Sequence, residues 1–127
     1  MLENIVKQLV ELAKAEKWDE VDAKIPKVCN DSVVIRWAYT QGLYDCDDAN
    51  VRDLAASILE KADWPKMLDK IIRRNLLGAF RTEKHTYARF RMACALYGHK
   101  CKTGPVKAAI EEAPKDVQKI AQKYLKR

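Results

Sequence analysis

DANVRDLAASILEKA, residues 48–62, carries the pattern on which the fold turns. Val51, Leu54, Ala55, Ile58, Leu59 and Ala62 recur at the i, i+3, i+4, i+7, i+8, i+11 spacing that lines one face of an α-helix. Arg52, Asp53, Ser57, Glu60 and Lys61 fall mostly off that face. Asp47 and Asp48 precede it, where carboxylates satisfy free N–H groups and favour the positive dipole end. A helix of this length is marginal alone in water, so the pattern predicts neighbours for its apolar face.

The same texture recurs on both sides. Starting positions Ile35, Val51, Ala88 and Val117 each lead, eight residues on, to Leu43, Leu59, Leu96 and Leu125. The second position is Arg36, Arg52, Arg89 and Gln118. The fifth is Tyr39, Ala55, Met92 and Ala121. Amphipathic helices alone account for the apolar spacing; the Arg at a fixed offset is the additional signal.

The chain has 127 residues, enough for one domain with a real core, so 1–127 is read as a single unit. Hydrophobic residues make up 48% and charged residues 33%, the balance of a folded rather than a disordered chain. Only four Gly and four Pro occur, which favours helices joined by short turns over a many-stranded sheet. No apolar run reaches the roughly 18 residues of a membrane span. The start, MLENIVKQLVELAK, is amphipathic and acidic, unlike a signal peptide, so a cytoplasmic location and no membrane partner are expected. Cys29, Cys46, Cys94 and Cys101 are then reduced thiols.

Net charge is +6, unevenly spread. Residues 1–63 hold 8 Lys/Arg against 13 Asp/Glu, residues 64–107 hold 11 against 2, and residues 108–127 hold 5 against 3. An acidic first half therefore meets a strongly basic second part just after Asp63.

Eight helices are expected. The first spans about 2–16 with a stripe of Leu2, Ile5, Val6, Leu9, Leu12 and Ala13. The second spans about 19–29, with Pro26 predicting a kink or early stop. Asn30-Asp31-Ser32 caps a third helix over about 32–44, apolar on most sides. The quoted helix is the fourth. Asp63-Trp64-Pro65 opens the fifth, with Asp63 as cap, running to about Leu77 before a loop over 78–84. Thr86 to about Gly98 packs on both sides. Pro105 and Pro114 open the last two helices.

The DxxVRxxAxxxL texture of residues 48–59, with its echoes at 35–43, 88–96 and 117–125, resembles the second helix of a HEAT (armadillo-type) repeat. The Arg and Gln positions step by 16, 37 and 29 residues, against about 40 in a regular array. The step of 16 is half a repeat, which makes residues 32–44 the first helix of a pair. Residues 11–27 faintly resemble a tetratricopeptide hairpin. The HEAT resemblance implies an all-α, right-handed α-solenoid or superhelix of about four antiparallel helix pairs, serving as an interaction scaffold.

The basic segment is the functional lead. Lys66, Lys70, Arg73, Arg74, Arg81, Lys84, Arg89, Arg91, Lys100 and Lys102, followed by Lys107, face only Asp69 and Glu83 in the same stretch. Such a set neutralises phosphates and releases counterions, so a non-enzymatic nucleic-acid module (RNA or DNA, with structured RNA as one case) is the first reading. Tyr87, Phe90 and Tyr97 lie nearby as stacking candidates, though their spacing favours the core. A protein–protein scaffold, docking an acidic partner or self-associating head to tail, is the second reading. Charges that merely solvate a helix face are the bland one. Arg36 and Arg52 are expected to bridge to Asp31, Asp48 or Asp53 of adjacent repeats, with Arg89 more open to a ligand.

No Gly-rich phosphate loop, nucleophile elbow or H-E-x-x-H occurs, so no catalytic residue and no cofactor is assigned. A DNA-repair glycosylase built on HEAT-like hairpins is the distant enzyme alternative; it would need aromatics and a carboxylate on a concave face, for which Trp37, Trp64 and Asp69 are the residues available, with nothing in the sequence to place them there. Cys94, His99 and Cys101 are spaced C-x₄-H-x-C, unlike paired zinc ligands, and are read as free thiols and a loop His rather than a metal site or a disulfide. Asp45, Asp47 and Asp48 are read as a capping, solvated turn rather than a cation site.

Overall fold

Helical periodicity, with carboxylate caps at two of the helices, shapes the elements of the computed structural model, which describes residues 2–126, with side chains from Asn4 onward. Leu2, expected on the first apolar stripe, has its side chain outside the described residues. The α-helices are α1 (Leu2–Lys14), α2 (Trp18–Val28), α3 (Ser32–Thr40), α4 (Ala49–Lys61), α5 (Asp69–Thr82), α6 (Thr86–Gly98), α7 (Gly104–Glu111) and α8 (Gln118–Leu125). Short 3₁₀ turns at Gly42–Tyr44, Lys66–Leu68 and Lys115–Val117 lead out of α3 and into α5 and α8. No strand occurs among the described residues, so the chain is all-α there.

The caps follow the sequence logic where acids lead. Asp31 Oδ1 accepts the Val33 N–H at 2.9 Å and Asp48 Oδ1 accepts the Asn50 N–H at 2.8 Å. Asp45 Oδ2 accepts the Asp48 N–H at 2.8 Å, so the carboxylates at 45 and 48 order the turn into α4. α1 and α6 end differently. Glu16 (φ 59°) and Lys100 (φ 72°) turn left-handed, and Lys17 and Cys101 donate back to the Leu12 and Leu96 carbonyls at 2.9 Å. These are the six-to-one bonds of a Schellman ending, with charged residues where glycine is usual.

Three expected boundaries are corrected. α3 stops at Thr40 and tightens into the 3₁₀ turn, where Gly42 lies against Trp37 and Ala55 too closely for a side chain. α5 begins at Asp69 rather than Asp63, because the chain first makes the 3₁₀ turn Lys66–Leu68; no side chain caps the turn or the helix, and the Asp63 N–H donates to Asn30 Oδ1 at 2.8 Å. α5 also runs through Gly78 to Thr82, where a loop was expected. Gly78 keeps ordinary helical geometry, and its bare Cα makes room for the Tyr44 hydroxyl. Pro26 lies in the last turn of α2, which continues to Val28 without an early stop.

α4 and α6 form the middle of the molecule. α4 buries Val51, Leu54, Ala55, Ala56, Ser57, Ile58 and Leu59, and touches α1, α2, α3, α6 and the Gly42 turn. α6 buries Ala88, Phe90 and every residue from Met92 to Tyr97, and touches α4, α5, α7 and α8. Burial of this apolar surface, at about 25 cal/mol per Å², holds the helices together. Among the described residues, no helix is long and apolar enough to cross a membrane.

Candidate nucleic-acid interface

α5 turns Ile72, Leu76, Ala79 and Phe80 inward, where they are buried. At about 100° per residue, Lys70, Arg74 and Arg81 then fall on a single outer line, spread over about 16 Å of helix. All three are exposed, as are Lys66 before the helix and Lys84 after it. None of these five takes part in an ion pair among the described residues. α5 contains one acid, Asp69, and Arg73 occupies it through contacts of 3.3 to 3.4 Å.

The structure divides the ten basic residues. Lys66, Lys70, Arg74, Arg81, Lys84, Lys100 and Lys102 are exposed. Lys102 stands 5.0 Å from the centre of the Tyr97 ring. Arg73 is half-buried; its Nη1 donates to the His99 carbonyl at 2.9 Å and its guanidinium lies 5.3 Å from the Trp64 ring. Arg89 is half-buried over the Phe80 ring at 4.2 Å. Arg91 is drawn away altogether. It donates to Glu60 Oε1 at 3.0 Å and stands 3.8 Å from Asp53.

Arg73 belongs to a docking cluster. Trp64 stacks on His99 with ring centres 3.6 Å apart, and the Trp64 Nε1–H donates to the Leu59 carbonyl at 2.9 Å. The His99 Nε2 lies 3.1 Å from the same carbonyl, the distance of a second donor. Burial pushes the His99 imidazole below its ordinary value, against the raising effect of that bond. Cys94 is buried, and burial followed by the nearby Glu60 charge raises its thiol far above its usual range. It therefore remains a thiol, while His99 is engaged with Trp64 and Leu59, and no three-ligand cluster occurs among the described residues.

Arg91 opens into a cleft of about 500 Å³ lined by residues including Glu16, Trp18, Asp22, Asp53, Tyr87 and Asp116. Tyr87 donates its hydroxyl to Asp116 at 2.9 Å. Asp53 has its pKa raised to about 6, because burial outweighs the attraction of Arg91 and the Ser57 hydrogen bond. Burial works against the Arg91 charge, but Glu60 and then Asp53 outweigh it and hold the guanidinium ionised. Its Nε is buried without a hydrogen-bond partner. Glu60 also accepts the hydroxyl of Tyr124. Four carboxylates and one arginine make this cleft the acidic pole of a basic chain.

The expected Arg ladder is corrected in its partners. Arg52 does bridge to an acid, but to Glu83: Nε meets Oε1 at 2.6 Å and Nη2 meets Oε2 at 3.1 Å. Its Nη1 donates to the Asp45 carbonyl at 2.7 Å. Arg36 makes no ion pair among the described residues and lines a shallow groove with Trp37 and Val33. Of the stacking candidates, Phe90 and Tyr97 are core residues and Tyr87 serves the acidic cleft. The exposed aromatic beside α5 is Tyr44, 47% exposed, whose hydroxyl donates to the Asn75 carbonyl. Tyr44 lies just after the first echo of the Val-Arg pattern, and its hydrogen bond to Asn75 and its approach to Gly78, both far along the chain, identify its neighbour. The Asp53–Ser57–Glu60 set was more legible: those residues recur at i, i+4 and i+7, a second, polar line along α4.

No protein-family model, curated protein or solved structure matches this chain.

Proposed function

We propose that the chain is a non-enzymatic module that holds a nucleic-acid backbone, RNA or DNA, along the outer face of α5, within a HEAT-like, right-handed α-solenoid of about four helix pairs. The observation that carries the reading is the outer line of Lys70, Arg74 and Arg81, exposed and without ion pairs among the described residues, flanked by Lys66 and Lys84. Cations left unneutralised along one face of a helix match an anionic polymer better than they match a folded interior. The solenoid is supported by the order of packing. α1 touches α2, α3 touches α4, α5 touches α6 and α7 touches α8, while α2, α4, α6 and α8 form a continuous second series. Polar bonds between elements support the same reading: Tyr44 to Asn75, Arg52 to Glu83 and Arg91 to Glu60 each span 31 residues.

A salt titration tests the function. Five phosphate contacts imply a log–log slope of about −3.5 to −4.5, so affinity for a mixed RNA should fall on the order of 100-fold between about 50 and 200 mM salt. The variant K70E/R74E/R81E should abolish binding while keeping its helical circular-dichroism spectrum. Binding that survives the triple reversal would sink the proposal. Arg73 is left out of this variant because it anchors the Trp64–His99 cluster.

The acidic cleft favours one second reading, head-to-tail self-association, in which α5 of one copy enters the cleft of another. Sedimentation at low and high salt separates the two. A monomer at both would remove self-association.

A further inference from the structure

We infer that Tyr44 and the pocket beside it form a seat for an unpaired nucleobase, so that the nucleic acid held by α5 is single-stranded. The inference rests on the reading of α5 as a backbone contact. Tyr44 is the most exposed aromatic among the described residues, and its hydroxyl is fixed by the Asn75 carbonyl of α5. Asn75 and Gly78 place the ring on one flank of the helix, about a quarter-turn from Arg74 and Arg81. The ring is thus immobilised before any ligand arrives, which lowers the ordering cost of stacking.

A pocket of about 310 Å³ opens against Tyr44, lined among others by Asp45, Cys46, Arg52, Glu83 and Lys84. Its charges balance: two carboxylates, one arginine and one lysine. Arg52 and Glu83 are moreover paired to each other, and Asp45 caps the Asp48 N–H. A neutral pocket beside a cationic line suits a neutral base next to its own phosphates. In a duplex the bases are stacked away and cannot reach Tyr44; in a single strand they can. Every base has a π-face, so the seat is expected to tolerate sequence.

Fluorescence anisotropy with a labelled mixed-sequence 15-mer RNA and its duplex tests this, using the parent, Tyr44→Leu, Tyr44→Phe and K70E/R74E/R81E. Tyr44→Leu should weaken single-strand binding about tenfold and leave duplex binding unchanged, while Tyr44→Phe stays within about threefold. An independent readout avoids substitution. Cys46 is exposed in the same pocket, whereas Cys29 and Cys94 are buried. The single strand should protect Cys46 from alkylation, read by mass spectrometry, and the duplex should not. If the triple reversal abolishes binding but Tyr44→Leu binds the single strand like the parent and Cys46 stays reactive, the base seat is wrong and the α5 reading stands. If the triple reversal changes nothing, both fall.

Discussion

Replacing Asp53 by asparagine should stabilise the protein at neutral pH, although Asp53 faces an arginine. The carboxylate is 14% exposed and 3.8 Å from Arg91, too far for a hydrogen bond. Burial raises its pKa from 3.8 to about 6 despite Arg91 and Ser57. Between those values the folded chain holds a proton that the unfolded chain has released, so stability falls as pH rises through the window. At ~1.4 kcal/mol per pH unit, the full cost above about pH 7 is about 3 kcal/mol. The asparagine amide retains an acceptor for the Ser57 hydroxyl and cannot ionise. The difference in unfolding free energy between Asp53→Asn and the parent should therefore be small near pH 4. By pH 7.5 it should favour the variant by up to about 3 kcal/mol. Urea denaturation of both proteins at a series of pH values measures it, and subtraction removes groups common to both. His99 is one such group. Its pKa is depressed by burial, so its contribution runs the other way and is lost as pH falls below about 6.5. A difference that stays flat, or that grows in favour of the parent, would refute the reasoning. It would mean that Arg91 repays the desolvation of Asp53 at 3.8 Å.

Two further perturbations read the packing. Gly42→Ala would place a Cβ 2.6 Å from that of Ala55 and 2.9 Å from the Trp37 ring, and should cost about 1–3 kcal/mol in thermal unfolding. An unchanged melting temperature would mean that α4 can slide away from the turn at no cost. Glu83→Gln strips Arg52 of its partner and weakens the acceptor of the His85 N–H. It should cost about 2–3 kcal/mol by chemical denaturation, with R52M/E83Q recovering part of the loss, and a neutral single variant would show the pair to be idle.

Residues 48–62 made α4 legible because both devices that specify a helix are local there: an acid cap and an apolar face. The same holds for Asp31 and α3. Errors arise where the deciding contact lies far along the chain. Gly78 looks like a helix end until the Tyr44 hydroxyl, from a distant turn, is seen to lie 3.2 Å from where a Cβ would stand. Asp63 looks like a cap, but the 3₁₀ turn at Lys66–Leu68 separates it from α5, and its N–H is held from far along the chain by Asn30. The basic residues of 66–102 are legible as a set, but charge alone does not say which cations are occupied. Arg91 differs from Arg81 because its helix is enclosed by α4 and α8, where Glu60 waits for it. Tyr44 escapes the sequence for the converse reason. Proximity along the chain points to the aromatics inside the basic segment, whereas the most exposed aromatic beside α5 lies 31 residues before Asn75.

The inter-helix bonds also bear on the order in which the molecule assembles. Most join partners 26 to 40 residues apart. Loops of that size close at modest entropic cost, so neighbouring helices are expected to dock soon after they form. Tyr124 is the exception, meeting Glu60 across 64 residues. Glu60 receives α6 through Arg91 and α8 through Tyr124, so that contact is complete only when three helices are already in place. Glu60 thus ties α8 to the two central helices, α4 and α6, at a single carboxylate.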